Sequence, residues 1–171
     1  MNLIPAILSS LLLAASADGI VWAAEPTWQE QQNLPPWAQQ LFGEPSFTSR
    51  YSLTTRINPF FLHGDFNGDG KLDLAALIVQ KTTGKEGIGI AHAGSANILV
   101  VGAGTRLGNG GDDFAWLDAW SVRVKQPVQP GASGKQRPLL LGDTLLVQKL
   151  EAASASIYWD GKSYRWHQHG D

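Results

Sequence analysis

Glycine and proline interrupt this chain at short intervals, and this punctuation limits the length of any regular element. Nineteen glycines and nine prolines are spread over 171 residues. Both residue types favour turns and weaken the interiors of helices and strands, so short strands joined by turns fit this spacing. The sequence predicts a mainly β fold of about eight short strands, in an antiparallel meander sheet or a sandwich, with α+β as the alternative.

Apolar patterning places the strands between these turns. Residues 72–80 form a dense apolar run, which predicts a central strand covered on both faces. Residues 87–92 and 96–101 would complete a three-stranded meander with it. Two stretches alternate in polarity as half-buried strands do: residues 47–57, and residues 115–125 with Trp116 and Trp120 on one face. The remaining predicted strands are 139–150, 155–159 and 163–167, the last two joined by a hairpin turn at Asp160 and Gly161, across which Trp159 and Trp166 would pair.

The amino-terminal segment has the composition and length of a secretion signal. Residues 1–17 carry no charged side chain, and residues 3–17 are apolar over a length that is short for a membrane span. Small residues allow cleavage after Ala17 or Ala23, and the second site fits the later start of the fold. We therefore expect a signal peptide at residues 1–23, a periplasmic or secreted location and no integral membrane segment after cleavage. The alternative is a buried amino-terminal helix of the domain.

The rest of the chain divides into a small cap and a β domain. Residues 24–46 predict a helical cap, with a short helix that starts near Pro36, where proline is tolerated, and ends at Gly43. Residues 47–171 predict the β domain. The formal net charge of -2 gives no electrostatic attraction to nucleic acid, which we exclude as a partner. The chain has no cysteine, so an exported form must be stabilised by its core or by a metal.

Residues 65–73, here called the acidic loop, read D-F-N-G-D-G-K-L-D and carry the pattern of a cation site. Calcium binds several oxygen ligands, and a tightly wrapped loop supplies them from alternate positions with a glycine at the sharp turn, here Gly70. The predicted ligands of one Ca²⁺ ion are Asp65, Asn67, Asp69, the carbonyl of Lys71, and Asp73. An EF-hand is disfavoured because Ala76 stands where its glutamate would be, and because a strand pattern follows the loop.

Residues 64–75, Gly-Asp-Phe-Asn-Gly-Asp-Gly-Lys-Leu-Asp-Leu-Ala, resemble the calcium loop of the FG-GAP and VCBS type. In that family a D-x-D-x-D-G-x-x-D turn joins two strands of a β-propeller blade, and the motif repeats, whereas this chain carries it once. The resemblance implies the same metal role for Asp65, Asn67, Asp69, Lys71 and Asp73. Stretches 112–116 and 158–162 are similar to small exported bacterial proteins, which implies export and no particular activity. The alternative for the acidic loop is a solvated turn without an ion.

Two other groups of side chains are candidate sites. Asp112 and Asp113 precede an aromatic stretch and could serve a hydrolase, but neighbouring residues of an extended strand point to opposite faces. We favour the simpler interpretation, in which they are turn residues with an N-terminal cap or a second ion contact. His167 and His169 would share a strand face near the terminus, where the sequence places no third ligand, and we expect them to be solvated.

Taken together, these patterns favour a non-enzymatic exported domain over an enzyme. We expect a calcium-stabilised β domain that is a binding or accessory protein of the cell envelope, with an envelope protein or a glycan as its ligand. The alternative is an envelope hydrolase that uses Asp112 and Asp113. A purely structural accessory subunit is the third possibility.

Overall fold

The computed structural model describes residues 34–126 and 138–170. The predicted signal peptide at residues 1–23 lies outside them. The elements are α1 Pro36–Gly43, α2 Pro45–Thr48, β1 Tyr51–Leu53, β2 Phe61–Gly64, β3 Asp73–Gln80, β4 Glu86–Ala91, β5 Ile98–Gly102, a 3-10 turn at Gly108–Gly110, β6 Ala119–Arg123, β7 Thr144–Lys149, β8 Ala153–Trp159 and β9 Tyr164–Gly170.

The nine strands of the described residues form two antiparallel sheets. In the first sheet the order is β1-β3-β4-β5, and β2 lies next to β1 along the same edge of β3. In the second sheet β6, β7, β8 and β9 follow one another in chain order. The predicted mainly β fold is confirmed and takes the form of a sandwich. The predicted meander is confirmed as β3, β4 and β5.

The core between the two sheets is built from the alternate residues that each strand turns inward. From the first sheet come Leu77 and Ile90, and from the second sheet Val147 and Ile157, all buried. Phe66, which belongs to the acidic loop rather than to a strand, is fully buried in the same core. Burial of a side chain of this size contributes about 1.5 to 3 kcal/mol. The loop is thus anchored in the main core.

A second, smaller core lies on the other face of the first sheet. Phe42 of α1 and Phe47 of α2 pack there against Leu74 and Ile78 of β3. The helices therefore cap the first sheet, and β3 is buried on both faces, as the sequence predicted. The predicted helix that begins at Pro36 and ends at Gly43 is also confirmed.

Several strands of the structure are shorter than the strands that the sequence predicts. The alternation over residues 47–57 yields only β1, because Pro45 starts α2 and the Phe47 ring packs edge-on against Phe42 at 5.2 Å between ring centroids. Trp116 lies before β6 and does not share a strand face with Trp120. The hairpin at residues 160–161 is confirmed as β8 and β9.

Across that hairpin the two tryptophans are not opposite each other. Trp159 is opposite Tyr164, and Trp166 is opposite Ile157. The predicted pair of Trp159 and Trp166 is therefore wrong in its register. The ring that contacts Trp159 is Tyr164, with 5.2 Å between ring centroids.

The sandwich is closed along one side and open along the other. On the closed side β2 lies against β6, and the indole N–H of Trp120 donates to the carbonyl of Pro59 at 2.7 Å. On the open side lie the edge strands β5 and β9. Within residues 34–126 and 138–170, no helix is long and apolar enough to cross a membrane.

Candidate metal centre

The acidic loop joins β2 to β3, two antiparallel neighbours, and must reverse the chain within a few residues. Gly68 and Gly70 have φ angles of 80° and 82°, in the left-handed region that glycine occupies without strain. Between Asp65 and these glycines, Phe66 points into the core. The sequence pattern of oxygen-bearing residues separated by glycine therefore folds as a compact turn fixed by a buried ring.

The Asp65 carboxylate organises the centre of this turn. Its Oδ1 accepts the N–H groups of Gly68 (2.8 Å) and Asp69 (3.0 Å), and its Oδ2 accepts the N–H of Gly70 (2.9 Å). A carboxylate offers about four lone-pair sites. Asp65 uses three of them inside the loop, so one remains for another donor or an ion.

Asn67, Asp69 and Lys71 lie on the outer part of the loop. Asn67 Oδ1 accepts the N–H of Asp69 (2.9 Å), and Asp69 Oδ1 accepts the N–H of Lys71 (2.9 Å). The Lys71 ammonium lies 3.6 Å from Asp69 Oδ2. These contacts, led by the Lys71 N–H, lower the pKa of Asp69. The outer oxygen of Asp69 is thus paired with the Lys71 ammonium at the surface of the loop.

Asp73 has a different environment, since it is fully buried at the start of β3. Its Oδ2 accepts the N–H groups of Phe66 (3.0 Å) and Asn67 (3.3 Å), and its Oδ1 accepts the N–H of Ala93 (2.8 Å). Burial raises the pKa of Asp73, while these N–H donors and His92 oppose the rise. Asp73 thus closes the loop onto β3 and onto the turn that follows β4.

The acidic loop is also docked on the second sheet, next to the start of β7. The N–H of Asp143 donates to the Asp65 carbonyl (2.7 Å), and the N–H of Asp65 donates to Asp143 Oδ2 (3.0 Å). Asp143 Oδ1 accepts the N–H of Lys125 (2.9 Å). A Cβ atom on Gly142 would lie 2.2 Å from the Asp65 carbonyl oxygen, and one on Gly68 would lie 2.3 Å from the Leu141 carbonyl oxygen. This close approach requires both glycines.

Gly142 and Asp143 are site residues that the sequence reasoning missed. They fall inside residues 139–150, for which the sequence predicts one continuous strand. The signal was present, because a Gly-Asp pair within an apolar run is a turn signal. Their partner, the acidic loop, could not be deduced from the local sequence.

The predicted ligands are brought together in part. Asp65, Asn67 and Asp69 share one hydrogen-bond network, since the Asp69 N–H donates to both of the other side chains. Among the described residues, no group of three or more His, Cys, Asp or Glu side chains is placed to hold a metal ion. The fifth predicted ligand, Asp73, uses its carboxylate to accept three backbone N–H groups. The other candidate oxygen donors of the loop are the side chains of Asp65, Asn67 and Asp69 and the carbonyl of Lys71. All are hard oxygen ligands, as calcium prefers.

Asp112 and Asp113 do not form a common site. The Asp112 carboxylate pairs with the Lys85 ammonium (2.5 Å), which lowers the pKa of Asp112. Asp113 Oδ1 accepts the N–H groups of Glu86 (3.0 Å) and Ala115 (3.0 Å). Both side chains fasten the glycine-rich loop that follows β5 to the beginning of β4. Their geometry is that of turn and ion-pair residues.

The histidines occupy separate environments. His92 Nε2 lies 2.7 Å from the Tyr164 hydroxyl, and burial raises the pKa of that phenol. His167 and His169 share a face of β9 with 5.4 Å between ring centroids, and His169 Nε2 lies 2.8 Å from the Ser156 hydroxyl. His167 is buried, so its interpretation as a solvated terminal residue is wrong.

An open cleft of about 560 Å³ lies on the open side of the sandwich, away from the acidic loop. Residues of β5, of the segment 105–108 and of the β8–β9 hairpin line it. The sequence does not predict this cleft, because its walls come from three distant segments.

No family model, curated protein or solved structure matches this chain.

Proposed function

We propose that this protein is an exported, calcium-stabilised β domain that acts as a non-enzymatic binding or accessory protein of the cell envelope. The observation that carries the proposal is the acidic loop, an oxygen-rich turn anchored in the core by Phe66 and docked on the second sheet through Asp143. An ion held there would stabilise the turn between β2 and β3 in the form that docks on the second sheet.

The donor chemistry of the acidic loop supports calcium. Asp65, Asn67 and Asp69 supply side-chain oxygens at alternate positions, and Lys71 supplies a carbonyl. Three carboxylates and one ammonium leave the loop with a net negative charge, which a divalent cation would neutralise. One neutral ligand and the lack of a bidentate glutamate predict a dissociation constant of about 10⁻⁴ to 10⁻³ M, the range of extracellular modules.

The structural surroundings explain why an ion would stabilise this domain. The chain has no disulfide to link its two sheets, and the acidic loop carries three carboxylates against one ammonium. Calcium would offset this excess of negative charge and would keep the turn in its docked form. When bound, the ion supplies charge neutralisation and ligand geometry, whereas the docking is provided by Gly68, Gly142 and Asp143.

A binding or accessory role fits better than hydrolysis. Both proposed hydrolase residues are engaged in structural contacts, Asp112 with Lys85 and Asp113 with two backbone N–H groups. The open cleft has no acidic side chain among its described lining residues. The proposal therefore assigns the cleft to ligand binding rather than to acid and base catalysis.

Thermal unfolding in calcium and in EDTA tests the ion. With about 10 mM calcium, 10 to 100 times the expected dissociation constant, stabilisation should be about 1.4 to 2.7 kcal/mol, or roughly 3 to 10 °C in Tm. Asp69→Asn should reduce this calcium-induced shift, because it removes one of the proposed charged ligands. The same substitution should change the Tm in EDTA little, because Asp69 is exposed and contributes little without an ion. Glu151→Gln, an exposed acid outside the loop, is the matched control and should keep the full shift. Identical Tm values of the unaltered protein in calcium and EDTA would refute the ion.

Export requires its own experiment, because residues 1–23 lie outside the described residues. The full chain with a carboxy-terminal tag should be fractionated from a Gram-negative host, and the amino terminus of the product should be determined. Cleavage after Ala23 or Ala17 in a periplasmic product is expected. A cytoplasmic product that retains Met1 would contradict the proposed location.

A further inference from the structure

The open side of the sandwich presents a free strand edge. Gly102 and Thr105 exchange backbone hydrogen bonds of 2.9 and 2.8 Å, so Gly102 directs its N–H and C=O away from β4. Backbone groups of alternate residues in an antiparallel strand point the same way. Ile98 and Val100 therefore direct their N–H and C=O groups to this outer edge. In the described part of the chain, no strand pairs with them there.

The cleft lies directly beside this edge. Its walls include Leu99 and Val101 of β5 and the aromatic residues Trp159 and Trp166 of the opposite hairpin. Trp166 is held in place by the 3-10 turn, since a Cβ atom on Gly110 would lie 2.5 Å from its ring. The cleft is thus a trough with one wall made of a strand edge and the other of fixed aromatic rings.

The charged side chains that line the trough are all basic, and two of them have an acidic neighbour outside the lining: Asp160 beside Arg165 and Asp112 near Arg106. Arg106, Lys162 and Arg165 are the charged residues among the described residues that line it, and no Asp or Glu joins them. Arg165 is paired with Asp160 at 2.5 Å, whereas Arg106 and Lys162 are exposed at the rim. This pattern favours an anionic ligand, because opposite charges across an interface guide association and set specificity.

We propose that an extended acidic peptide segment binds in this trough by adding a strand to the outer edge of β5. Its backbone would pair with Ile98 and Val100, and its carboxylates would face Arg106 and Lys162. Side chains on one face of a strand repeat about every 6.6 to 6.8 Å, so alternate acidic residues can approach the cationic rim. An acidic polysaccharide could match the charge but could not form the ladder of backbone hydrogen bonds. This inference rests on the binding role proposed above and not on the calcium ion.

Fluorescence anisotropy with a defined probe tests the proposal. The probe is a fluorescein-labelled octapeptide in which valine and glutamate alternate, added to the purified protein. Saturable binding that weakens in about 0.5 M salt is expected, since salt screens exposed charges. A peptide with lysine in place of glutamate should not bind. A peptide N-methylated at four consecutive central residues should bind at least about tenfold more weakly, because in either register two of these N–H groups would face β5 and can no longer donate.

Protein variants locate the site. Arg106→Glu and Lys162→Glu should each weaken binding by about fivefold, from the strength of an exposed charge pair. Lys149→Glu, an exposed lysine outside the trough, should leave binding unchanged. Circular dichroism identifies any variant that fails to fold. The N-methylated peptide tests the strand edge without altering the protein.

Four outcomes would overturn the proposal: equal binding of the N-methylated and parent peptides, equal binding of the lysine peptide, unchanged binding in both rim variants, or binding of polygalacturonate but not of the octapeptide. The same titrations in calcium and in EDTA separate the two proposals. Absent peptide binding together with a calcium-induced rise in Tm would refute only the strand-addition site. Peptide binding without any calcium effect would support this site and refute only the ion.

Discussion

Replacing Gly142 with alanine tests whether the acidic loop is fastened to the second sheet as described. The added Cβ would lie 2.2 Å from the Asp65 carbonyl oxygen and 2.7 Å from the Gly68 nitrogen. Both are backbone atoms, so no side-chain rotation can relieve the overlap. The loop must move away, and with it the two hydrogen bonds that join Asp65 to Asp143.

The expected destabilisation follows from these contacts. Two lost hydrogen bonds contribute about 1 kcal/mol each, and forcing a group into a packed site typically costs about 1 to 3 kcal/mol. We therefore expect Gly142→Ala to lower the free energy of unfolding by about 3 to 5 kcal/mol. This is a large fraction of the stability of a domain of this size, which is typically about 5 to 15 kcal/mol.

Urea unfolding followed by tryptophan fluorescence, in EDTA, measures the change. Gly43→Ala is the matched control, because a Cβ atom there meets nothing within 4 Å and the residue ends α1. It should change the free energy of unfolding by less than about 1 kcal/mol. If Gly142→Ala is no less stable than Gly43→Ala, the loop does not approach residues 141–143 as closely as described, and the reasoning fails.

Two further predictions concern carboxylates. Asp73→Ala should lower the free energy of unfolding by about 2 to 3 kcal/mol in EDTA and in calcium alike, because three backbone N–H groups lose their acceptor; a loss confined to calcium would instead make Asp73 an ion ligand. The hydrogen bond from Arg165, with the N–H groups of Ser163 and Lys162, lowers the pKa of Asp160 from 3.8 to about 2. The Asp160 contribution to stability should therefore be complete above pH 4 and be lost as the pH falls through about 2. Urea midpoints of the unaltered protein and Asp160→Asn should converge on acidification, and a gap that widens would contradict this sign.

Local patterns predicted the elements whose structure depends on local chemistry. The apolar run at residues 72–80 became β3, because such a run is stable only where both faces are covered, and the helices supply the second cover. Pro36 and Gly43 bounded α1, and Asp160 with Gly161 made the hairpin turn. In each case the residue that decides the conformation lies within the element or next to it.

Tertiary contacts decided the features that were not predicted. Phe47 alternates correctly for a strand, yet it belongs to α2 because its ring packs against Phe42. Trp116 lies outside β6, where its indole N–H donates to the Gly110 carbonyl at 3.2 Å. The acidic loop was recognised from its residue types, but its attachment to Asp143 depends on a partner 78 positions away. The trough beside β5 likewise combines distant segments.

The attachment of Asp65 to Asp143 also bears on the order in which the chain folds during synthesis. A chain that emerges from its amino terminus presents the loop long before β7 exists, so the early loop lacks the contacts that give it its final shape. If the calcium ion proposed above binds this loop, its site would be complete only after the second sheet has assembled. A chain truncated before β7 would then lack the stabilisation that the ion provides.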